Sequence, residues 1–401
     1  MSAIVLCLNA GSSSLKFALF DADAAQHASG LPAAMLRGEI DAPGGGSPVL
    51  TCVRAGQQAR QTLKPEAVRG DIGAEVAWLI GWLERECSAP RPGVVAHRIV
   101  HGGQHYTRAT RISADVFAEM QALTSLAPLH QGPGLAGVQA AQAALPDAMQ
   151  VACFDTAFHA NHDDTERRYA IPRSWHERGY QRYGFHGLSF DAISRRLRPA
   201  LGDRALGPVV VAHLGSGASL CGLRKLRSVT TTMGFTALDG LVMGTRCGAL
   251  DPGLVLQWLQ RDGLSAAEVS DMLYKRSGLL GVSEISHDTR ELLASADPRA
   301  RQAVDLFVAS VVRQIGAVAA TIGGLDALVF TGGIGTHQPA IRAAVVERLA
   351  WLGLALDPAA NAAGRLDIAS SASRVPILAM DTDEEAVMAA QAAALILPIA
   401  A

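Results

Sequence analysis

MSAIVLCLNAGSSSLKFALF, residues 1–20, sets two apolar runs on either side of NAGSSS, residues 9–14. Ile4–Leu8 has the density of a buried strand, and Leu15–Phe20 reads as a second strand interrupted only by Lys16. A short polar link between two such runs predicts a β-hairpin. An ordinary hairpin tip needs one Gly or Asn. This one carries three hydroxyls, a carboxamide, small residues that leave backbone N–H groups reachable, and a lysine just beyond. Such a donor set suits phosphate oxygens, and it also suits a merely soluble turn.

The pattern recurs. VVVAHLGSGASLCGL, residues 209–223, again reads strand, small polar turn (Gly215, Ser216, Gly217), strand. DALVFTGGIGTH, residues 326–337, reads as a strand entering a Gly-rich turn, with a helix expected from about Gln338. Two strand–turn–strand devices roughly 200 residues apart suggest two related domains, although chance recurrence is open to a chain with 40 glycines. Further strands are expected at 94–100, 151–154 and 375–380, with helices near 71–87, 114–126, 134–145, 187–197, 252–261, 265–274, 298–322, 338–350 and 383–396. This alternation predicts an α/β protein. The stretch 41–48 reads as a surface turn, and 161–182 as a charged region outside the core. The domains are expected over 1–150 and 151–382.

At 401 residues the chain exceeds one ordinary core. A formal charge of −2 gives no global attraction for nucleic acid, and no basic–aromatic stripe supports one. Six cysteines without metal-ligand spacing read as buried free thiols of a reducing compartment. No secretory leader is recognisable, and the longest apolar run, near 303–324, is broken by Asp305 and Arg313. A cytoplasmic protein without a membrane partner is therefore expected.

Several polar groups stand where ligands or structure could claim them. Arg98 sits in or at the end of an apolar strand, followed by His101, Gly102, Gly103 and His105. A charge there needs a partner, either a salt bridge or an anion that matches the guanidinium fork. The nearby histidines lack the spacing of a zinc motif. Asp155 follows a short strand, at the end where α/β folds place ligands, and an Asx cap would satisfy the same observation. His186 lies between Phe185 and Gly187, and Arg246 among the five glycines of 233–253. Asp288 and Arg290 read as a helix cap. In TDEE, Asp381 or Thr382 is expected at the cap, with Asp383, Glu384 and Glu385 serving the helix dipole.

LNAGSSSLKF, HRIVHGG, FDTAFH, YGFHG, HLGSGAS, the MGFT–DGLVMGTR loop, SGLLGVSEIS, GGIG and TDEE occur in this order over about residues 4–390. With these motifs the chain resembles the acetate kinase family of short-chain carboxylate kinases. The resemblance implies two ribonuclease-H-like domains of the actin/sugar-kinase/Hsp70 superfamily flanking a cleft, with a C-terminal helix at 383–398 returning to the first. It implies reversible transfer between ATP and acetate, giving ADP and acetyl phosphate, with Mg2+ or Mn2+, in a cytoplasmic homodimer. By the matching motifs, Asp155, His186 and Arg246 would be catalytic, Arg98 would bind the carboxylate, and Asn9 and Glu384 would hold the metal. Lys16, the turn His213, Leu214, Gly215, Ser216, Gly217, the stretch Asp288, Thr289, Arg290 and the segment Gly333, Ile334, Gly335, Thr336, His337 would contact nucleotide.

Departures from the family pattern fall on the nucleotide side. Ser216 replaces the Asn of HLGNG, Ala249 a carboxylate of GTRSGDxDP, Thr336 and His337 the Glu and Asn of GGIGEN, and Thr289 a Met. They put nucleotide preference in doubt, with pyrophosphate as a remote alternative partner. A propionate or butyrate kinase, and a non-catalytic nucleotide-binding protein on the same fold, are the competing readings. Retention of Asp155 and both arginines speaks against the last.

Overall fold

The computed structural model describes residues 3–11, 14–41, 48–54, 57–63, 71–86, 89–127 and 131–396. Ser12 and Ser13 of the opening turn, Cys87 and most of the expected surface turn at 41–48 lie outside the described residues. By internal contacts the chain divides into two units, one of 1–160, 187–196 and 383–401, the other of 161–186 and 197–382.

The first unit is built on β1 (Ile4–Ala10), β2 (Ser14–Asp21), β3 (Leu36–Asp41), β4 (Val49–Arg54), β5 (Gln57–Thr62), β6 (Val94–Ile99), β7 (Thr110–Arg111) and β8 (Met149–Phe154). They form one sheet in the order β5-β4-β3-β2-β1-β6-β8-β7. The opening hairpin is its centre: β1 pairs antiparallel with β2 from Ile4↔Asp21 to Ala10↔Leu15, and parallel with β6. IVLCL is apolar without interruption because both faces of β1 are covered. Leu6 and Leu8 pack with Phe17, Leu79 and Leu83 beneath the helix Ile72–Arg85. Val5 and Cys7 point the other way, against Val387, Ala389 and Ala393 of the helix Glu384–Ile396. The sequence periodicity did not reveal β3, β4 and β5, whose polar residues interrupt any apolar run.

The second unit contains β9 (Val209–Leu214), β10 (Ala218–Arg224), β11 (Arg227–Thr231), β12 (Ala327–Thr331) and β13 (Ile377–Ala379), in the order β11-β10-β9-β12-β13. β9 pairs antiparallel with β10 and parallel with β12, which continues parallel to β13. That arrangement repeats β3-β2-β1-β6-β8 strand for strand, with the same parallel and antiparallel pairings. The duplication inferred from the two polar turns thus extends to five strands: the whole second sheet and the matching part of the eight-stranded first.

The helix Pro298–Thr321 is long and apolar enough by composition to cross a membrane. Here it lays Phe307, Val311, Ile315 and Val318 into the protein and packs on β9 and β10. Two expectations change. GGIGTH is not a turn: Gly332–His337 is itself helical, directly after β12, while the helix expected from about Gln338 begins at Pro339 with Gln338 as its cap. The cap of the last helix is neither Asp381 nor Thr382. Asp383 Oδ1 accepts from the Ala386 N–H at 3.0 Å, the third amide of the helix, which a capping side chain reaches.

Candidate functional site

Each unit gathers polar residues at the carboxyl ends of its parallel strands. In the first, Asn9 ends β1, Arg98 stands one residue from the end of β6, Asp155 directly follows β8, and Glu384 and Glu385 open the last helix. Arg98 donates through Nε and Nη2 to Asp155, with Nη2 to Oδ2 at 2.7 Å, and through Nη1 to Asn9 Oδ1 at 3.1 Å. Its Nη1 lies 3.5 Å from Glu384 Oε2. The carboxamide of Asn9 donates in turn to Glu384 Oε2 at 2.9 Å and Glu385 Oε1 at 2.8 Å. Lys16 sits opposite Asn9 in the β1–β2 register with its side chain exposed.

This cluster holds more negative than positive charge in a place that is nearly dry. Asp155 is 1% exposed. Burial pushes its carboxyl up from the ordinary range, Arg98 pulls it back, and Glu384 pushes it up again. Burial alone would lower Arg98, but Asp155 and Glu384 outweigh it and hold the guanidinium firmly charged. Glu385 is raised by burial and by its neighbour Glu384, against the pull of Asn9 and Lys16. Three carboxylates around one arginine and one exposed lysine favour an additional cation. Among the described residues no group of three His, Cys, Asp or Glu is placed to hold a metal by itself. Oxygen donors from an Asn and one or two carboxylates nevertheless fit Mg2+, which usually completes its shell with water and substrate phosphate.

The backbone around Asp155 is pinned. The N–H of Gly187 donates to the Asp155 carbonyl at 3.0 Å. A Cβ on Gly187 would fall 2.0 Å from that oxygen, which explains the second glycine of YGFHG. In HRIVHGG, His97 serves structure: its Nε2 bonds Gln150 at 2.8 Å, and burial lowers its pKa to about 4.

In the second unit His186 adopts φ 57° ahead of the helix Gly187–Leu201, and its Nδ1 meets Ser219 Oγ at 2.9 Å. Its ring stacks on His213 at the end of β9, with centroids 4.3 Å apart. A Cβ placed on Gly217 would lie 3.2 Å from His186 Nε2 and 3.7 Å from Arg246 Nη2, so these three meet at one point. Arg246 donates through Nη1 to the Ala237 carbonyl at 2.9 Å.

The loop carrying Arg246 is sewn on both sides. Gly244 N–H donates to the Ser216 carbonyl at 3.1 Å, and Ser277, Leu279 and Leu280 donate to Thr245, Met243 and Gly244. Gly278 has φ 63°, and a Cβ there would lie 2.2 Å from the Met243 carbonyl oxygen and 2.7 Å from that of Arg246. Only glycine fits that crossing.

The remaining sequence-predicted positions lie nearby in the same unit. Gly335 packs on Ala212 and Leu214 of β9, so the helix Gly332–His337 stands beside the turn of residues 213–217. His337 is exposed, 3.9 Å from Asp381. Thr289 is buried; Asp288 caps its helix through the Arg290 N–H at 2.8 Å and pairs with the exposed Arg290 side chain, whose hydrogen bonds hold the Asp288 carboxyl low. The expected cap is therefore present, and Arg290 remains at the surface.

Sequence reasoning missed Glu385, Ser219 and Gly278 as members of these networks. Glu385 was adjacent to a candidate, and Ser219 was a lone hydroxyl in an apolar strand. Gly278 left no local signal, because Met243 and Arg246, which it contacts, are distant in sequence.

The model of the Acetokinase family matches residues 4–390. The chain is 47% identical over 394 residues to an acetate kinase of Rhodopseudomonas palustris, covering 97% of each chain. It is 44% identical over 405 residues to an acetate kinase of Methylocella silvestris, covering 100% of each. Among solved structures, a propionate kinase from Francisella tularensis superposes with a TM-score of 0.86 at 32% identity, over 97% of this chain and 98% of that one. The acetate kinase of Porphyromonas gingivalis gives 0.82 at 31% identity, over 99% and 100%.

Proposed function

The chain belongs to the acetokinase family, kinases that transfer a phosphoryl group to a carboxylate, and from that membership we propose that its substrates are acetate and ATP, yielding acetyl phosphate and ADP reversibly. Its fold is the two-sheet α/β type of the actin/sugar-kinase/Hsp70 superfamily. The observation that carries the reading is the dry Arg98–Asp155–Asn9–Glu384 network at the strand ends of the first sheet.

A short-chain carboxylate is already ionised at neutral pH, so Asp155 need not act as a strong base. Its role is to align the nucleophile and share in holding a cation. Arg98 keeps a fixed positive charge where one anion must approach another, and fixes Asp155 and Asn9 in place. Arg246 and His186 are assigned to the equatorial oxygens of the transferring group, where charge spreads in the transition state. Ser219 at His186 Nδ1 orients that ring so that Nε2 faces the point shared with Arg246. Asn9 and Glu384 would hold Mg2+, which when bound neutralises phosphate charge. Lys16, 213–217, 288–290 and 333–337 are assigned to the nucleotide.

Acetate is preferred over propionate on the names of the most similar sequences, while the Francisella tularensis structure keeps propionate as the second reading. One methylene changes selectivity by only about 1–3 kcal/mol. A homodimer is also proposed: the helix Pro252–Gln260 leaves Leu256 and Leu259 exposed one turn apart on the same face, an apolar pair suited to a second copy. A cytoplasmic setting suits the free cysteines, four of the five described ones being buried.

The test is to incubate the protein with Mg·ATP and acetate, propionate or butyrate, trap acyl phosphate with hydroxylamine, and count ADP. Hydroxamate stoichiometric with ADP, fastest for acetate and lost in Asp155→Asn, is the expected result. ADP release without hydroxamate from any of the three acids would end the proposal.

A further inference from the structure

Arg342 is 1% exposed and is the largest of the fully buried side chains. It lies on the helix Pro339–Arg348, and every described hydrogen bond of its guanidinium goes to a neutral acceptor. Nε donates to Asn361 Oδ1 at 2.7 Å and Nη2 to the Asn361 carbonyl at 2.8 Å. Nη1 donates to the carbonyls of Gly335 at 2.9 Å and Thr336 at 2.5 Å. Burying a cation is costly, and for stability alone a well-packed apolar side chain would serve as well or better. The reason for an arginine lies in what it holds.

The helix Gly332–His337 ends on carbonyls that need donors. Gln338 N–H satisfies Ile334 at 3.0 Å. The next amide in line, four residues after Gly335, would be residue 339, and that residue is Pro, which has no N–H. Arg342 Nη1 supplies the missing donor and takes Thr336 as well. Asn361 completes the clamp by donating through Nδ2 to the Pro339 carbonyl at 2.9 Å. The guanidinium therefore bolts GGIGTH to the following helix and to the segment around Asn361, in three directions that one ammonium cannot reach.

We propose that Arg342 is a positioning residue for nucleotide binding, acting through the Gly335 and Thr336 carbonyls to fix the 333–337 segment while touching no substrate. This rests on the assignment of that segment to the nucleotide. It also explains how the unusual Thr336 and His337 can replace the family's Glu and Asn without loosening the segment: the clamp grips backbone, and is indifferent to those side chains.

The experiment compares the full-length protein with Arg342→Lys and Arg342→Met. Three readouts are taken: hydrogen exchange of the peptide spanning 332–338, ADP affinity by calorimetry, and KM for ATP and for acetate with kcat. Expected are at least tenfold faster exchange confined to that peptide, about tenfold or greater rises in the ADP Kd and the KM for ATP, and KM for acetate and kcat within about threefold. If Arg342→Met does not fold, Arg342→Lys decides. Unchanged exchange at 332–338 in a folded variant overturns the clamp, as does a fall in kcat with KM for ATP unmoved. Faster local exchange in the variants alongside a wild type that binds no ADP would instead overturn the nucleotide assignment, and with it the positioning role.

Discussion

The two sheets share a strand order and pairing pattern, yet they finish their strand ends in opposite ways. β1, β6 and β8 end in polar and charged groups locked to each other, with Arg98 at the hub of Asn9, Asp155 and Glu384. β9 ends in the stacked pair His213 and His186, a turn of small residues, and an arginine brought in by a loop that is held through its backbone. The same five-strand scaffold thus yields one centre that depends on charge pairing and another that depends on close backbone approach. The lesson is that the fold fixes where a site can be, and the residues at the strand ends decide its chemistry.

The largest expected difference comes from removing each arginine. Arg98→Ala and Arg246→Ala should each lower turnover by at least about 10²-fold, read by hydroxamate formation. Only Arg98→Ala strands buried Asp155, so it should also cost about 3–5 kcal/mol in denaturant unfolding. Arg246 is half-buried, and its loss should cost distinctly less. Equal stability losses would break the contrast.

Next come the glycines. Gly278→Ala pushes a Cβ into the Met243 and Arg246 carbonyls at a positive φ and should cost about 1–3 kcal/mol, with turnover falling as Arg246 shifts. At Gly333 a Cβ meets nothing within 4 Å. Gly333→Ala should therefore fold like wild type, and any rise in its KM for ATP measures how closely nucleotide approaches. A stable, fully active Gly278→Ala would remove backbone approach from the description of the second centre.

The smallest effect lies away from both centres. Glu75, in the first turn of the helix Ile72–Arg85, has a buried Oε2 without a hydrogen-bond partner, and burial with nearby Asp71 raises its carboxyl to about 7. Its folded state favours the protonated form, so this group's contribution to stability is fully present below about pH 4.5 and is lost as pH rises towards 7. Glu75→Gln should flatten the fall in Tm between pH 5 and pH 8 and leave kcat unchanged. A Tm–pH slope identical to wild type would show that the carboxylate ionises without penalty.

The strands that carry both centres were legible because their neighbours cover both faces and leave unbroken apolar runs, as in IVLCL and VVVAHL. β3, β4 and β5 were not, since their polar residues break any such run. GGIGTH misled because glycine is read locally as a turn, whereas here β9 and Arg342 hold six residues in a helix.

The candidates themselves, Asn9, Arg98, Asp155, His186, Arg246 and Glu384, could be singled out from residue type and motif order. Their partners could not. That Asn9 bridges Arg98 to residues 375 and 376 positions away, that Gly278 must yield space to Arg246, and that Arg342 replaces the amide Pro339 lacks, follow only from chain segments meeting in space. Sequence by itself determined the buried strands and the chemistry offered at their ends, because hydrophobic periodicity and residue type are local properties. Tertiary structure decided which charges share a dry volume and which backbones touch, because burial and electrostatics depend on neighbours that the chain supplies from anywhere along its length.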